Sequence, residues 1–555
     1  MTRCHAAGVE EITGSHVEHC YRAIAGRDAR FDGAFVTAVT STGVYCRPSC
    51  PARTPARAHA RFFRSAAAAR VAGFRACRRC LPDAIRGSRR DDPRGTAVKR
   101  ALELISDGVV DAAGVAGLAA RLGYSERHLV RLLRAEVGAG PLAMARAQRA
   151  RSARTLIATT ALPFVEVAAA AGFASVRQFN DSVRRSTGHT PTQLRRAAGI
   201  RPTDTPAPCP EPPDPLMLDP LMLDPLAVRL PVRSPLGSQG VASSLAFLAA
   251  RAVPGVEAVA ADGSYWRSLR LPRGPGLLHV PSRPGPEPAP QEGMEGMEGM
   301  ERMARCTLQL TDLRDLAAAV RGCRRLLDLD VDLAAVNAVL AEDPLLAPLV
   351  AVAPNRRLPG STDPGEAAVR AVLGQQVSVA AARTLAGRIV ARHGEALAPA
   401  VPVIHGGPWA LFPSAAALAA ADPASLPLTR ARAGALQALA AALADGSISL
   451  DDGPSGRVDG DALRSRLLAL PGIGPWTAEL IALRALGDPD GFPAGDLGLR
   501  RALRQLGGPT DPLAIARRAE RWRPWRGYAV AHLWASLEAT AAPSPRLFAL
   551  AGGRP

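Results

Sequence analysis

Apolar residues recur at helical spacing through most of the first 200 positions. They give way to short alternating runs over 227–280, and helical spacing returns from about 312 almost to the end. The alternating runs are LAVRLPV (226–232), VEAVAA (256–261), YWRSLRL (265–271) and GLLHV (276–280), and ARCTLQL (304–310) resumes them. Period two predicts strands with one face in a core; apolar positions three and four apart predict amphipathic helices. Two stretches interrupt the pattern. Residues 201–226 are proline-rich with a direct PLMLD repeat and read as an extended linker, and 281–303 carry a GME repeat and read as a flexible insertion between strands. A softer break lies at GSRRDDPRG (87–95). The expected organisation is a multidomain α+β chain: a small cysteine-bearing domain (1–92), a helical domain (93–200), the linker (201–226), a β-containing domain (227–353) and a long all-helical domain (354–555).

Composition sharpens this picture. At 555 residues the chain is long enough for several cores, and 47% of it is hydrophobic. No uncharged apolar run reaches the roughly 18 residues a membrane span requires, and the first residues, MTRCHAAGVEEITGSH, lack a signal-peptide pattern. A cytoplasmic location is expected, where clustered cysteines point to metal or catalysis before disulfides. The net charge of +18 is concentrated: residues 1–200 hold 32 basic and 15 acidic side chains, whereas 201–555 hold 36 and 35. An excess that local implies a polyanion partner, nucleic acid foremost. All the basic residues but Lys99 are arginine.

Four of the nine cysteines are clustered. Cys46 and Cys50 form C-x3-C in GVYCRPSC, and Cys77 and Cys80 form C-x2-C in FRACRRC after a gap of 26 residues. Short pairs joined by a moderate loop let four thiolates converge on one tetrahedral zinc. Arg47, Arg53, Arg75, Arg78 and Arg79 lie alongside; such cations favour thiolate and suit a phosphate backbone. Spacing alone favours a purely structural zinc site over a reactive one, and a disulfide reading is weaker than either. Cys4, Cys20, Cys209, Cys306 and Cys323 show no ligand spacing.

The stretch FDGAFVTAVTSTGVYCRPSCPAR…AGFRACRRCLPD resembles the N-terminal domain of the Ada family over roughly residues 15–85. That resemblance implies a zinc site of Cys46, Cys50, Cys77 and Cys80, with Cys46 as stoichiometric acceptor of methyl from DNA methylphosphotriesters. Two helix-turn-helix patterns follow, VAGLAARLGYSERHLVRLLRAEVG (115–138) and FVEVAAAAGFASVRQFNDSVRRSTGHTP (164–191). In each, a glycine (Gly123 or Gly172) ends one helix and a serine (Ser125 or Ser175) caps the next. The second helix of such a pair enters the major groove, so Glu126, Arg127, His128 and Arg131, and Ser175, Val176, Arg177 and Asn180, are the expected readers. The pair resembles the AraC-type DNA-binding domain. The implied partners are damaged and promoter double-stranded DNA and, for an activator, RNA polymerase.

In the C-terminal half, LPGIG inside LLALPGIGPWTAELIALRALGDPDGFPAGDLGLRRAL (467–503) predicts a helix-hairpin-helix, with Gly472 and Gly474 bringing backbone N–H groups to a DNA phosphate. Asp496 follows in FPAGD. Taken alone it reads as a helix cap or surface carboxylate. With LPGSTDPGEAAVRAVLGQQVSVAAARTLAGRIVARHG (358–394) and RWRPWRGYAVAHLWA (521–535), the region resembles the AlkA-type 3-methyladenine DNA glycosylases from about 227 to 545. That resemblance implies Asp496 as the catalytic carboxylate, Trp476 and Trp534 as base-pocket aromatics and Gln376 at the wedge position. Trp476 stands where bifunctional relatives carry a lysine, so a monofunctional hydrolase is expected. No cysteine cluster follows the hairpin, and no iron–sulfur cluster is expected. The sequence departs from the resemblance at Leu480, where the AlkA pocket has a tyrosine, and it lacks the PCHR motif of full-length Ada proteins. The resulting expectation is a fused alkylation sensor and base-excision enzyme. The alternative is a transcription regulator whose glycosylase-like half only binds DNA.

Overall fold

The computed structural model describes residues 11–14, 16–50, 52–64, 66–77, 80, 82, 98, 101, 104–105, 108–137, 140–200, 225–232, 239–282, 303–397, 410–450 and 460–541. The proline-rich segment 201–224, most of the 281–303 insertion, the break at 87–95, Arg78, Arg79 and Lys99 lie outside these residues.

The N-terminal unit is a small α/β domain. Helix α1 (His16–Ala25) and a short 3-10 turn (Ala29–Phe31) precede β1 (Val36–Val39), β2 (Val44–Cys46), β3 (Ala60–Phe63), α2 (Ala66–Val71) and β4 (Arg75–Ala76). The sheet order is β3-β1-β2-β4, with β4 parallel to β2 and the other pairs antiparallel. Side chains alternate between faces as period two requires: Phe35, Ala60 and Phe62 pack with Cys20, Ala23 and Ile24 of α1, and Val36, Ala38, Tyr45 and Phe63 pack with Ala69 of α2. The parallel β2–β4 pair brings Cys46 and Cys77 to one end of the sheet.

The helices that follow among the described residues include α3 (Val109–Arg121), α4 (Glu126–Val137), α5 (Pro141–Thr159), α6 (Phe164–Ala170), α7 (Val176–Thr187) and α8 (Pro191–Ala197). Both turns form as the glycines predict, with Gly123 at φ +69° and Gly172 at φ +81°. Ser125 accepts from the His128 N–H at 3.3 Å and Ser175 from the Gln178 N–H at 3.2 Å, each satisfying a donor left over at a helix start.

Strand β5 (Leu226–Pro231), α9 (Gln239–Ala250), β6 (Glu257–Val259), β7 (Tyr265–Leu271), β8 (Gly274–Val280) and β9 (Met303–Leu310) come next. They build a five-stranded antiparallel sheet in the order β5-β9-β8-β7-β6. The second helix-turn-helix does not stand apart from this sheet. Leu156, Val167, Phe179 and Val183 share one core with Val228, Leu230, Leu308 and Val320.

The remaining helices are α10 (Leu316–Leu326), α11 (Leu333–Leu340), α12 (Ala347–Val352), α13 (Pro364–Leu373), α14 (Val379–His393), α15 (Ala415–Ala420), α16 (Arg430–Ala444), α17 (Gly460–Leu468), α18 (Pro475–Arg484), α19 (Leu497–Gln505), α20 (Pro512–Ala519) and α21 (Arg526–Ala541). The expectation of an all-helical region is corrected at one place: β10 (Glu395–Ala396) and β11 (Ala410–Leu411) pair antiparallel. Two residues each are too few to leave a periodic signal in sequence. Among the described residues no helix is long and apolar enough to cross a membrane.

A buried ionic cluster joins the sheet to α13. Arg267 reaches Glu257 (3.3 Å) and Glu366 (2.5 Å), and Arg370 reaches the same two carboxylates (2.9 and 2.8 Å). The Tyr265 hydroxyl and the Val253 N–H also donate to Glu257. Charges out of water must be fully paired, and breaking such a pair from one side costs about 3–5 kcal/mol. Glu366→Gln is expected to destabilise the chain by that order, about 3–5 kcal/mol, in denaturant unfolding. A surface change such as Glu342→Gln should cost far less.

Candidate functional site

The cysteine site is built on a strand end and a turn. Cys46 closes β2 and Cys77 follows β4, whose Cys77 N–H donates to the Tyr45 carbonyl at 2.9 Å. Between Cys46 and Cys50 the chain turns, with the Cys50 N–H donating to the Arg47 carbonyl at 3.1 Å. Asp32 pins this turn: it accepts from the Ser49 N–H (2.8 Å) and hydroxyl (2.5 Å) and pairs with Arg47 at 3.5 Å. The four sulfurs all lie within 4.8 Å of one another, and Cys46, Cys50 and Cys80 are buried.

Their ionisation shows what the donor set needs. A hydrogen bond to Cys80, then burial, then the neighbouring sulfurs push the Cys46 thiol far above the ordinary thiol range. Burial lifts Cys50 to about 11. Cys80, which accepts from Cys46, falls to about 6. One thiolate forms readily and four do not, unless a cation compensates them. A divalent soft-tolerant ion with tetrahedral preference meets that need: zinc–sulfur bonds of about 2.3 Å put sulfurs about 3.8 Å apart, compatible with the observed cluster. The residues present fit zinc.

Of the arginines beside the site, Arg53 and Arg75 are exposed and Arg47 is half-buried against Asp32. On α4, Glu126, Arg127 and Arg131 face solvent, while His128 stacks on Tyr124 (5.0 Å between centroids, 17°) with Arg131 3.3 Å from its Nδ1. On α7, Arg177 and Asn180 are exposed along one face. Val176 is not available as a reader: it is half-buried and packs into the core below. It sits in the first turn of the helix against the core that the helix-turn-helix shares with the sheet, a packing that sequence spacing could not show. The Ser175 hydroxyl is occupied as the cap of α7.

In the C-terminal half, α17 and α18 form the hairpin. Gly472 sits at φ +75°, and a methyl there would lie 2.7 Å from the Ala435 Cβ of α16. Gly474 is extended and open, and α18 begins with no side-chain cap. The loop between α13 and α14 is latched to this hairpin: Gln375 Nε2 donates to the Gly472 carbonyl (3.0 Å) and to Thr477 Oγ1 (2.9 Å). Gln376, next to it, is exposed and held in the left-handed region at φ +57°. Non-glycine residues held there carry backbone strain, and such strain concentrates at functional sites.

Asp496 joins the two tryptophans. Trp476 Nε1 donates to Oδ2 and Trp534 Nε1 to Oδ1, each at 3.0 Å. The same Oδ1 caps α19 by accepting from the Leu499 N–H at 2.8 Å. All three side chains are half-buried, so the carboxylate is at the rim of an aromatic recess and still within reach of solvent. Sequence reasoning missed Phe247 of α9, whose ring lies 6.3 Å from that of Trp534 at 20°. Arg251 and Arg484 lie 3.7 and 4.6 Å from the Phe247 centroid. It also missed Gln375. Leu480 packs against the helical core.

Four family models cover most of this architecture. The metal binding domain of Ada matches residues 19–83, a helix-turn-helix domain matches 118–197, the AlkA N-terminal domain matches 227–363, and the HhH-GPD superfamily of base excision DNA repair proteins matches 369–527. The chain is therefore an Ada-type metal domain and a paired helix-turn-helix joined to a helix-hairpin-helix glycosylase fold. It is 50% identical over 521 residues to a probable bifunctional transcriptional activator/DNA repair enzyme AlkA of Mycobacterium tuberculosis, covering 94% of this chain and 96% of that protein. It belongs to that family. DNA-3-methyladenine glycosylase 2 of Escherichia coli is 36% identical over 308 residues, 52% of this chain and 91% of that one. The bifunctional transcriptional activator/DNA repair enzyme Ada of the same organism is 37% identical over 138 residues, 25% of this chain and 38% of that one.

The two hairpin glycines should respond differently to substitution. Gly472→Ala forces a side chain into both a left-handed backbone and a close contact, and should destabilise by about 1–3 kcal/mol. Gly474→Ala should leave the thermal midpoint almost unchanged. Calorimetry of the two variants checks the difference.

Proposed function

We propose that this chain senses and repairs alkylated DNA with two separate chemistries. The N-terminal half takes methyl from a DNA methylphosphotriester onto Cys46 and then activates transcription. The C-terminal half hydrolyses the glycosidic bond of N-alkylated purines of the 3-methyladenine type. The observation that carries the second activity is the single carboxylate, Asp496, held by both indole N–H groups.

Bound zinc would keep all four sulfurs as thiolates, and so supply a nucleophile without a separate base. The Cys46 sulfur attacks the methyl carbon, the S–C bond forms as the C–O bond breaks, and the oxygen's electron pair stays on the phosphodiester. Asp32 and Ser49 hold the Cys46–Cys50 turn so that the attacking sulfur stays oriented. The product is a neutral thioether, and the four-sulfur site loses one negative charge. Repulsion toward the phosphate backbone falls while Arg47, Arg53 and Arg75 remain, so affinity for DNA rises. Arg127, His128, Arg131, Arg177 and Asn180 then read a promoter, and RNA polymerase is the partner an activator would engage.

At the other site, an alkylated purine is flipped from the duplex into the recess. Its electron-poor ring is attracted to the faces of Trp476 and Trp534, and Phe247, itself covered by Arg251 and Arg484, backs Trp534. Gln376 fills the gap in the stack, and the hairpin turn at Gly472–Gly474 holds the adjacent phosphate. As the C1′–N bond breaks, its electrons leave with the purine, and Asp496 stabilises the positive charge on the sugar. Water attacks C1′ and gives its proton to Asp496, leaving an abasic site. Trp476 occupies the position from which an amine would attack, which favours hydrolysis without strand cleavage.

Incubation with methylated duplex DNA tests both halves. Asp496→Asn should slow base release at least about 100-fold while duplex binding persists. Unchanged release would remove the role assigned to Asp496, and no release by the unaltered chain would leave only the DNA-binding reading of that half. In the same samples, the peptide carrying Cys46 should gain one methylene in mass. Cys46→Ser, or prior removal of zinc, should abolish the gain. A methyl found on another cysteine would refute the assignment.

A further inference from the structure

We infer that the metal-binding domain is docked on the glycosylase half through a half-buried arginine, Arg30, so that the two repair sites are held as one body. The observations come from both sides of the contact. Arg30 Nε and Nη2 bind Asp28 within the N-terminal domain at 2.7–3.1 Å. Its Nη1 crosses to the other half, donating to Asp328 Oδ1 at 3.2 Å and to the Tyr528 hydroxyl at 2.5 Å. Tyr528 in turn donates to Asp328 Oδ2 at 2.7 Å, and the Leu358 N–H donates to the same oxygen at 3.0 Å.

The receiving site is built for a cation. Asp328 is 8% exposed and Tyr528 is fully buried, and Asp328 is held at φ +52°, a conformation that non-glycine residues adopt at a cost. Arg357 binds the Asp328 backbone carbonyl and lies near its carboxylate, but it is Arg30 that donates directly to Oδ1. Removing Arg30 would take a charged partner from a buried carboxylate, which destabilises the glycosylase half. The surrounding surface is close-packed. A methyl on Gly26, at the end of α1, would lie 3.2 Å from the Ala335 side chain and 3.3 Å from the Trp525 ring. At the rim, Arg22 pairs with Glu342 at 3.3 Å.

The docking segment also links elements that carry the two functional sites. Two residues beyond Arg30, Asp32 holds the Ser49 turn between Cys46 and Cys50. Tyr528 lies on α21, which presents Trp534 to Asp496. Residues 28–32 therefore fix the distance between the methyl acceptor and the base recess.

Hydrogen–deuterium exchange on the full chain tests the inference, with Arg30→Met and Gly26→Leu as independent disruptions, one removing the cation and one wedging the packing. Each should speed exchange several-fold in peptides covering 16–32, 325–330 and 520–528. Exchange in the 265–280 strands, zinc content and methyl uptake at Cys46 should stay as in the wild type. If Arg30→Met raises exchange everywhere, Gly26→Leu decides the matter by the same peptides. Unchanged exchange at 325–330 and 520–528 in both variants would overturn the docking. Arg30→Met combined with Asp328→Asn should be less damaging than the two changes added together; full additivity would also count against it.

Discussion

Two carboxylates and two guanidinium groups, packed between the five-stranded sheet and α13, govern the geometry of the C-terminal half. Glu257 and Glu366 each bind both Arg267 and Arg370. Glu257, Glu366 and Arg267 are buried and Arg370 is half-buried, so moving the sheet against the helix would strand a charge away from water. The consequences reach the site from two directions. Arg370 also donates to the Arg251 carbonyl at 2.6 Å, just past the end of α9. That fixes the helix whose Phe247 stands against Trp534. From the other end of α13 the chain runs directly into Gln375, which latches the hairpin, with Gln376 beside it.

Asp496 shows how one residue satisfies a structural and a chemical requirement together. Its Oδ1 caps α19 and accepts from Trp534, and its Oδ2 accepts from Trp476. The helix start fixes the carboxylate, and the carboxylate fixes the two rings. Under the proposed function, a base entering between them would meet a negative charge whose position is already set, the preorganisation that charge stabilisation in a transition state demands. Capping a helix and acting on a sugar cation are compatible duties for one carboxylate.

Much of the fold was legible because its signals are local. Alternation marked all five strands of the large sheet, glycine–serine pairs marked both helix-turn-helix turns, and cysteine spacing marked the metal site before any contact was known. What escaped depends on residues far apart in the chain. Phe247 and Trp534 are separated by nearly the whole C-terminal half, and an isolated phenylalanine in an apolar helix gives no sign of what it faces. Gln375 and Gln376 look alike in sequence, yet one latches the hairpin and the other projects outward. Val176 falls at a groove-facing position by count but is half-buried against the shared core. Arg30 is one arginine among many until Asp328 and Tyr528 are brought to it.

The proline-rich stretch suggests a chain that could be divided there, but the helix-turn-helix and the sheet on its two sides bury Phe179, Val183, Leu230 and Val320 in common. Separate polypeptides ending on either side would each present half a hydrophobic interior to water, a surface prone to aggregation. Gene fusion can join two such units in one event, and point mutations can then merge their interiors by small steps. Fission would have to reverse every one of those steps at once, so the joining behaves as an evolutionary ratchet.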